Sequence, residues 1–104
     1  MYKVLFVDDE EVIREGMNTI IDWEAERFQF MGAAHNGIEA YEYIMKEPVD
    51  IVITDLKMPV FDGLELIAKV KEEHPEIVFV VLSGYGEFEL AKKAMRFGVK
   101  HYLL

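Results

Sequence analysis

Cysteine is absent from this 104-residue sequence, which excludes a disulfide framework and a metal site built on thiolates. Long apolar stretches are absent as well. The longest purely apolar run, Ile77 to Leu82, is far too short to span a membrane. The N-terminus shows no charged segment followed by an apolar one, so no secretory leader is predicted. We therefore expect a cytoplasmic protein with no membrane partner.

Positive charge and chain-breaking residues are also scarce. Lysine and arginine number 11 against 20 acidic residues, which gives a formal charge of −9 at pH 7. A domain of this charge repels nucleic-acid phosphates, so direct nucleic-acid binding is not expected. With 3 prolines, 7 glycines and 52% hydrophobic residues, the composition is typical of one folded domain over residues 1–104.

Short apolar runs rich in valine, isoleucine and phenylalanine indicate strands buried on both faces, the pattern of a parallel sheet. Apolar stripes at helical spacing alternate with these runs, and we expect the stripes to pack in the core. The predicted strands cover residues 3–7, 28–34, 50–54, 77–82 and 99–104. The predicted helices cover residues 10–22, a segment after the N-cap Asn36, a segment after Gly63, and a segment from Phe88 to a stop at Gly98. The stripes include Val12, Ile13, Met17, Met45 and Met95.

A strand and a helix repeated four times before a fifth strand predict an α/β fold. Such alternation implies a doubly wound parallel sheet with right-handed crossovers. No helix follows the fifth strand in this sequence. Because a parallel sheet is normally covered on both faces, we expect part of one face to lie bare.

Three aspartates follow predicted strands. Asp8 and Asp9 come directly after residues 4–7, and Asp55 comes directly after residues 50–54. Parallel strands of an open α/β sheet direct their C-terminal ends to one edge, so these carboxylates should converge. They would repel one another unless a cation joined them, and oxygen ligands of this kind suit Mg²⁺. Asp55 is then a candidate nucleophile that accepts a phosphoryl group as an acyl phosphate.

Ser83 comes directly after the fourth predicted strand and is followed by Gly84. Its hydroxyl could donate a hydrogen bond to a phosphoryl oxygen at the same edge. Ser-Gly is also ordinary turn composition, and this would be the favoured interpretation without the acidic residues.

The combined motifs resemble the receiver domain of two-component response regulators. The resemblance covers Tyr2 to Leu104 and rests on Asp8-Asp9, Asp55, Met58-Pro59, Asp62-Gly63, Ser83-Gly84 and Tyr102. It implies a flavodoxin-like fold with a five-stranded sheet in the order 2-1-3-4-5. It also implies that Asp55 is the phosphoacceptor, that Asp8, Asp9, Asp55 and the backbone carbonyl of Lys57 bind Mg²⁺, and that Ser83 and Tyr102 are the switch residues. The family promotes its own phosphorylation and dephosphorylation and is not a turnover enzyme.

Two further segments, Ile21 to Glu24 and Ser83 to Ala91, resemble receivers fused to an AraC-type helix-turn-helix output domain. The partners implied are a sensor histidine kinase and the protein's own C-terminal output domain, which would switch transcription and carry any DNA binding. The family places a lysine directly after the fifth strand, whereas this sequence stops at Leu104. We therefore expect a receiver truncated before its last helix, whose uncovered surface could also promote a homodimer.

Other functions fit the residues less well. A phosphatase of the haloacid dehalogenase type needs a second aspartate two residues after the nucleophile, where this chain has Lys57. Gly84-Tyr85-Gly86 is too slight to be the phosphate loop of a nucleotide- or flavin-binding module. A receiver-like interaction module that works without phosphorylation remains the alternative. The presence of the three aspartates argues against this alternative, whereas the missing lysine favours it.

Overall fold

The structure is a computed structural model that describes residues 1–20, 22–56, 61–82, 88–99 and 101–103. Strands and helices alternate along these residues, and each strand begins and ends within two residues of its predicted bounds. The elements are β1 Tyr2–Val7, α1 Glu11–Ile20, β2 Phe28–Ala34, α2 Gly37–Lys46, β3 Ile51–Asp55, α3 Gly63–Glu73, β4 Val78–Leu82, α4 Phe88–Arg96 and β5 His101–Leu103.

The strands form one sheet in the order β2-β1-β3-β4-β5, and every neighbouring pair is parallel. The connection from β1 to β2 leads toward one edge of the sheet, whereas the three later connections lead toward the opposite edge. Because such crossovers are right-handed, α1 lies on one face of the sheet, and α2, α3 and α4 lie on the opposite face. The predicted class, a doubly wound α/β fold with a parallel sheet, is confirmed.

The main core lies under α2, α3 and α4. Alternate residues of β3 and β4 point into it, and Val52, Phe79 and Val81 are at most 1% exposed. The helices contribute Ala40, Ile44, Leu66, Ile67, Val70 and Ala94. On the other face, the alternate residues Ile51, Ile53, Val80 and Leu82 are half-buried, and Val78 is 42% exposed. On this face the described residues of β3 and β4 are therefore more exposed than those that face the main core.

Two predicted helix boundaries are confirmed by their backbone geometry. Asn36 is the N-cap of α2, and its side chain accepts a hydrogen bond of 2.7 Å from the Glu39 N–H. Gly98 has a φ of +94°, and its N–H donates to the Met95 carbonyl. A residue with a side chain rarely adopts this φ, so glycine is the residue that can end α4 in this way.

The expectation that the apolar stripes pack entirely in the core is wrong for several residues. Val12 is 77% exposed and Met95 is 50% exposed, while Ile13 and Met45 are just under 40% exposed. Helical spacing shows which residues share one side of a helix, but it does not show how much of that side contacts the sheet. α1 and α4 therefore carry apolar side chains beyond the width of their contact with the sheet.

Trp23 anchors the segment between α1 and β2 at the N-terminal end of the sheet. Its ring stacks on Phe30 with centroids 5.2 Å apart, and its indole N–H donates to the Met17 carbonyl at 3.0 Å. Met17 lies in the last turn of α1, where carbonyls have no partner within the helix. Trp23 therefore packs and also caps α1. No helix in the described part of the chain has the length and apolar character needed to cross a membrane.

Candidate functional site

Strand register places two of the predicted site residues at the same end of neighbouring strands. Val7 pairs with Thr54 at the last position of the ladder between β1 and β3. The next residues, Asp8 and Asp55, therefore lie at the same edge of the sheet, where the strands end. The Asp8 N–H donates to the Ala34 carbonyl at 3.1 Å, which continues the pairing of β1 with β2 by one residue. Asp8 and Asp55 thus lie at the edge where open α/β sheets bind ligands.

Asp8, Asp9 and Glu10 form a cluster of acidic groups beside this edge. Their carboxylate oxygens lie within 4.8 Å of one another. Asp8 is only 6% exposed, whereas Asp9 and Glu10 are exposed. The Glu10 N–H donates to Asp8 Oδ1 at 2.8 Å, so the turn that begins α1 fixes the buried carboxylate. Sequence reasoning missed Glu10; its place directly after two aspartates was the available signal.

The electrostatics of Asp8 follow from its burial among like charges. Burial raises the pKa of the Asp8 carboxyl, and the neighbouring Asp9 and Glu10 charges raise it further. The hydrogen bond from the Glu10 N–H and the charge of Arg14 lower that pKa in part. The Arg14 guanidinium also donates to the Asp8 carbonyl at 2.7 Å. A bound cation would offset both the cost of burying the Asp8 charge and its repulsion by Asp9 and Glu10, because it neutralises the carboxylates directly.

The end of β3 lies in close contact with the start of α3. The Gly63 N–H donates to the carbonyl of Leu56, the residue directly after β3, at 3.0 Å. Asp62 caps α3 in a reciprocal capping box with Glu65. A Cβ at position 63 would overlap the Asp55 carbonyl oxygen, so only glycine permits this approach.

A second close approach involves Phe61, two residues before α3. A Cβ at Gly37, the first residue of α2, would overlap the Phe61 carbonyl oxygen and lie 2.7 Å from the Phe61 ring. Phe61 also packs against the main core. Two helix starts, 26 residues apart in sequence, thus contact the described residues on either side of residues 57–60: Gly63 contacts Asp55 and Leu56, and Gly37 contacts Phe61.

The donor set fits a magnesium ion. The cluster offers only oxygen ligands, and Mg²⁺ commonly takes one or two carboxylates and keeps several waters. Among the described residues, Asp8, Asp9 and Glu10 are the group of three side chains close enough to share a cation. Neither His35 nor His74 belongs to such a group among the described residues. They pair instead with Glu39 and Glu76.

The remaining predicted site residues are only partly described. Asp55 is the last residue of β3 and is half-buried. The Tyr102 backbone lies in β5 and pairs with Val81, but its side chain is not described. Lys57 and Ser83 lie outside the described residues.

Comparison with known proteins identifies the family. The model of the response regulator receiver domain matches residues 4–104. The uncharacterized transcriptional regulatory protein YesN of Bacillus subtilis is 58% identical over the whole chain, which spans 28% of that protein. The transcriptional regulatory protein HptR of Staphylococcus aureus is 36% identical, and the chain spans 40% of its length. The chain therefore covers well under half of these relatives.

Comparison with solved structures indicates the same family. The receiver domain of AraT, a response regulator from Geobacillus stearothermophilus, superposes with a TM-score of 0.92 at 41% identity, covering 99% of this chain and 80% of that one. A two-component transcriptional regulator AraC from Clostridium phytofermentans gives a TM-score of 0.89 at 33% identity, covering 98% and 79%. With the acidic cluster, the sheet order and these matches together, the chain belongs to the response regulator receiver domain family.

Proposed function

We propose that this chain is the phosphoacceptor domain of a two-component system, in which Asp55 receives a phosphoryl group from a sensor histidine kinase. The observation that carries the proposal is the pairing of Val7 with Thr54, because it sets Asp8 beside Asp55 at the end of the sheet. The burial of Asp8 within an acidic cluster supports it, since a carboxylate in that position gains from a cation.

In the proposed reaction, a carboxylate oxygen of Asp55 bonds to phosphorus, and the bond from phosphorus to the donor's imidazole nitrogen breaks. The imidazole leaves with the electron pair of that bond, and Asp55 becomes an acyl phosphate. A bound Mg²⁺ supplies neutralisation of the charge on the phosphoryl oxygens. Asp8 and Asp9 would hold it together with Asp55 and the backbone carbonyl of Lys57.

The proposal includes a switch that reads the new charge. Ser83 would donate to the phosphoryl group, and Tyr102 would then reorient. Two pairings support these roles: Leu82, directly before Ser83, pairs with Asp55, and Tyr102 pairs with Val81. The surface near β4 and β5 would change as a result, and the output domain would respond to that change.

The partners and the setting are also proposed. Because the relatives are transcriptional regulatory proteins of which this chain spans a fraction, we propose an AraC-type output domain, C-terminal to the receiver, that binds DNA. The receiver, with its charge of −9, does not contact DNA itself. It works in the cytoplasm, where a homodimer through the β4–β5 surface would bring two output domains together. It is a signalling domain without turnover of a separate substrate.

Intact mass spectrometry after incubation with acetyl phosphate and Mg²⁺ tests the proposal. A single phosphoryl adduct is expected on the wild-type chain, and none is expected on Asp55→Asn or without Mg²⁺. The same assay on a version that continues past Leu104 measures what the lysine expected after the fifth strand adds. If neither version forms the adduct, the phosphoacceptor function is refuted and the phosphorylation-independent interaction module becomes the better account.

A further inference from the structure

Thr54 has a hydroxyl group in the buried part of β3, where an apolar side chain would pack equally well. Within the described part of the chain, the buried polar or charged side chains are Asp8 and Thr54, and Thr54 is 0% exposed. It lies two residues after Val52, on the face of β3 that packs under α2, α3 and α4. Valine has the same branched shape and is also favoured in strands, so neither the strand nor the core requires threonine here.

The buried hydroxyl needs a hydrogen-bond partner, because leaving it without one would destabilise the fold. Its partner is the carbonyl of the next residue: Thr54 Oγ1–H donates to the Asp55 carbonyl at 2.9 Å. This bond fixes the orientation of the peptide group that joins Asp55 to Leu56. The direction in which the chain leaves β3 therefore depends on the Thr54 hydroxyl.

Gly63 completes the same arrangement from the other side. The Asp55 carbonyl lies so close to Gly63 that an added Cβ would overlap it, and the following carbonyl, of Leu56, accepts from the Gly63 N–H at 3.0 Å. Two consecutive carbonyls at the start of the turn are thus held, the first by the Thr54 hydroxyl and the second by the Gly63 amide. A change in either peptide plane moves the backbone on which Asp55 sits.

We propose that Thr54 is a positioning residue: its buried hydroxyl orients the Asp55 peptide so that the phosphoacceptor and the start of the following turn are held ready for the cation and the phosphoryl group. The inference rests on the proposed function of Asp55. It adds a residue that touches neither the cation nor the phosphoryl group and acts through a main-chain carbonyl.

The test compares Thr54→Val, which removes the hydroxyl and keeps the shape, with Thr54→Ser, which keeps the hydroxyl. Thr19→Val is the matched control, because the Thr19 hydroxyl also bonds to main-chain carbonyls but in α1, at Glu15 and Gly16. Two quantities are measured on each 104-residue variant: the exchange rate of the Gly63 amide by NMR without metal, and the Mg²⁺ dissociation constant by calorimetry.

We expect Thr54→Val to speed Gly63 exchange and to weaken Mg²⁺ binding, each by roughly three- to tenfold, the range that follows from losing one neutral hydrogen bond. Thr54→Ser should restore both values, and Thr19→Val should change neither. A merely structural role would lower the melting temperature of Thr54→Val while leaving its Mg²⁺ affinity equal to that of the wild type.

Unchanged exchange and affinity in a folded Thr54→Val overturn the inference. Should Thr54→Val fail to fold, Thr54→Cys takes its place, because the thiol is close in size and donates only weakly. A wild-type chain that binds no Mg²⁺ would overturn the proposed metal site, and the Gly63 exchange rate would still decide whether Thr54 holds the turn.

Discussion

Replacing Gly63 by alanine should disturb the phosphoacceptor turn more than it disturbs the rest of the fold. The added Cβ would overlap the Asp55 carbonyl oxygen and lie 2.8 Å from the Leu56 Cα. Real Cβ atoms essentially never approach another atom more closely than 3.0 Å, so both backbone atoms would have to move away from residue 63. Both obstructing atoms belong to the backbone, so no side-chain rotation can relieve the overlap.

Two opposing effects set the size of the change in stability. In the interior of a helix alanine is favoured over glycine by about 0.5–1 kcal/mol, and residue 63, as the first residue of α3, gains at most this amount. Forcing an extra methyl group into a packed site costs about 1–3 kcal/mol. We therefore expect a net loss of about 1–2 kcal/mol in the free energy of unfolding. For a domain of this size, such a loss lowers the melting temperature by roughly 5–15 °C.

Gly98→Ala is the control, because it should destabilise the fold by a similar amount at a position far from the carboxylates. Gly98 has a φ of +94° and no atom within 4 Å of an added Cβ, so alanine is strained there without a clash. The strain costs about 1–2 kcal/mol. Gly98 follows α4 and lies near Glu76 and Val78, where β4 begins, which is the end of the sheet opposite the carboxylates.

The assay pairs thermal melting with Mg²⁺ titration and acetyl phosphate labelling of both variants. Both variants should melt earlier than the wild type. Only Gly63→Ala should also lose Mg²⁺ affinity, by roughly three- to tenfold for a backbone displacement worth about 1 kcal/mol, and should be labelled more slowly. Equal Mg²⁺ affinity in the two variants would refute the reasoning, because the contact of Gly63 with Asp55 would then have no bearing on the site.

Two further variants separate charge from packing. Asp8→Asn should raise the free energy of unfolding at pH 7 without Mg²⁺, because burial raises the pKa of Asp8 and so disfavours its charged form in the folded state. This gain should shrink as the pH falls through the raised pKa and disappear below the ordinary value of 3.8, where the carboxyl is neutral in both states; urea unfolding across pH measures it, and a pH-independent difference would contradict the assignment. Trp23→Phe should lose about 1–2 kcal/mol of stability, because the Met17 carbonyl loses its indole donor, yet it should leave Mg²⁺ affinity unchanged. A change in affinity would show that the two ends of the sheet are coupled.

The order of the strands and helices, and several of the residues at which they begin or end, could be predicted from the sequence because they depend on local interactions. The bounds of β2, the N-cap at Asn36 and the stop at Gly98 each depend on a residue type and its nearest neighbours. That Asp8 and Asp55 end neighbouring strands at one edge of the sheet also followed from the sequence, because parallel strands that alternate with helices must end at one edge. The acidic cluster among the described residues is Asp8, Asp9 and Glu10, so a metal site shared with Asp55 stays a prediction.

Only the tertiary structure decided which side chains are buried and which backbone groups meet. Val12 and Ile13 look like core residues in the sequence but lie exposed on α1, because burial depends on how far the helix contact extends. Of two adjacent aspartates, Asp8 is buried and Asp9 is not, since the turn into α1 carries Asp9 outwards. The approach of Gly37 to Phe61 joins segments distant in the chain, and no local pattern encodes it. The sequence therefore determined which polar residues lie at this edge of the sheet, whereas their burial and the backbone contacts around them arose from packing between elements that are far apart in sequence.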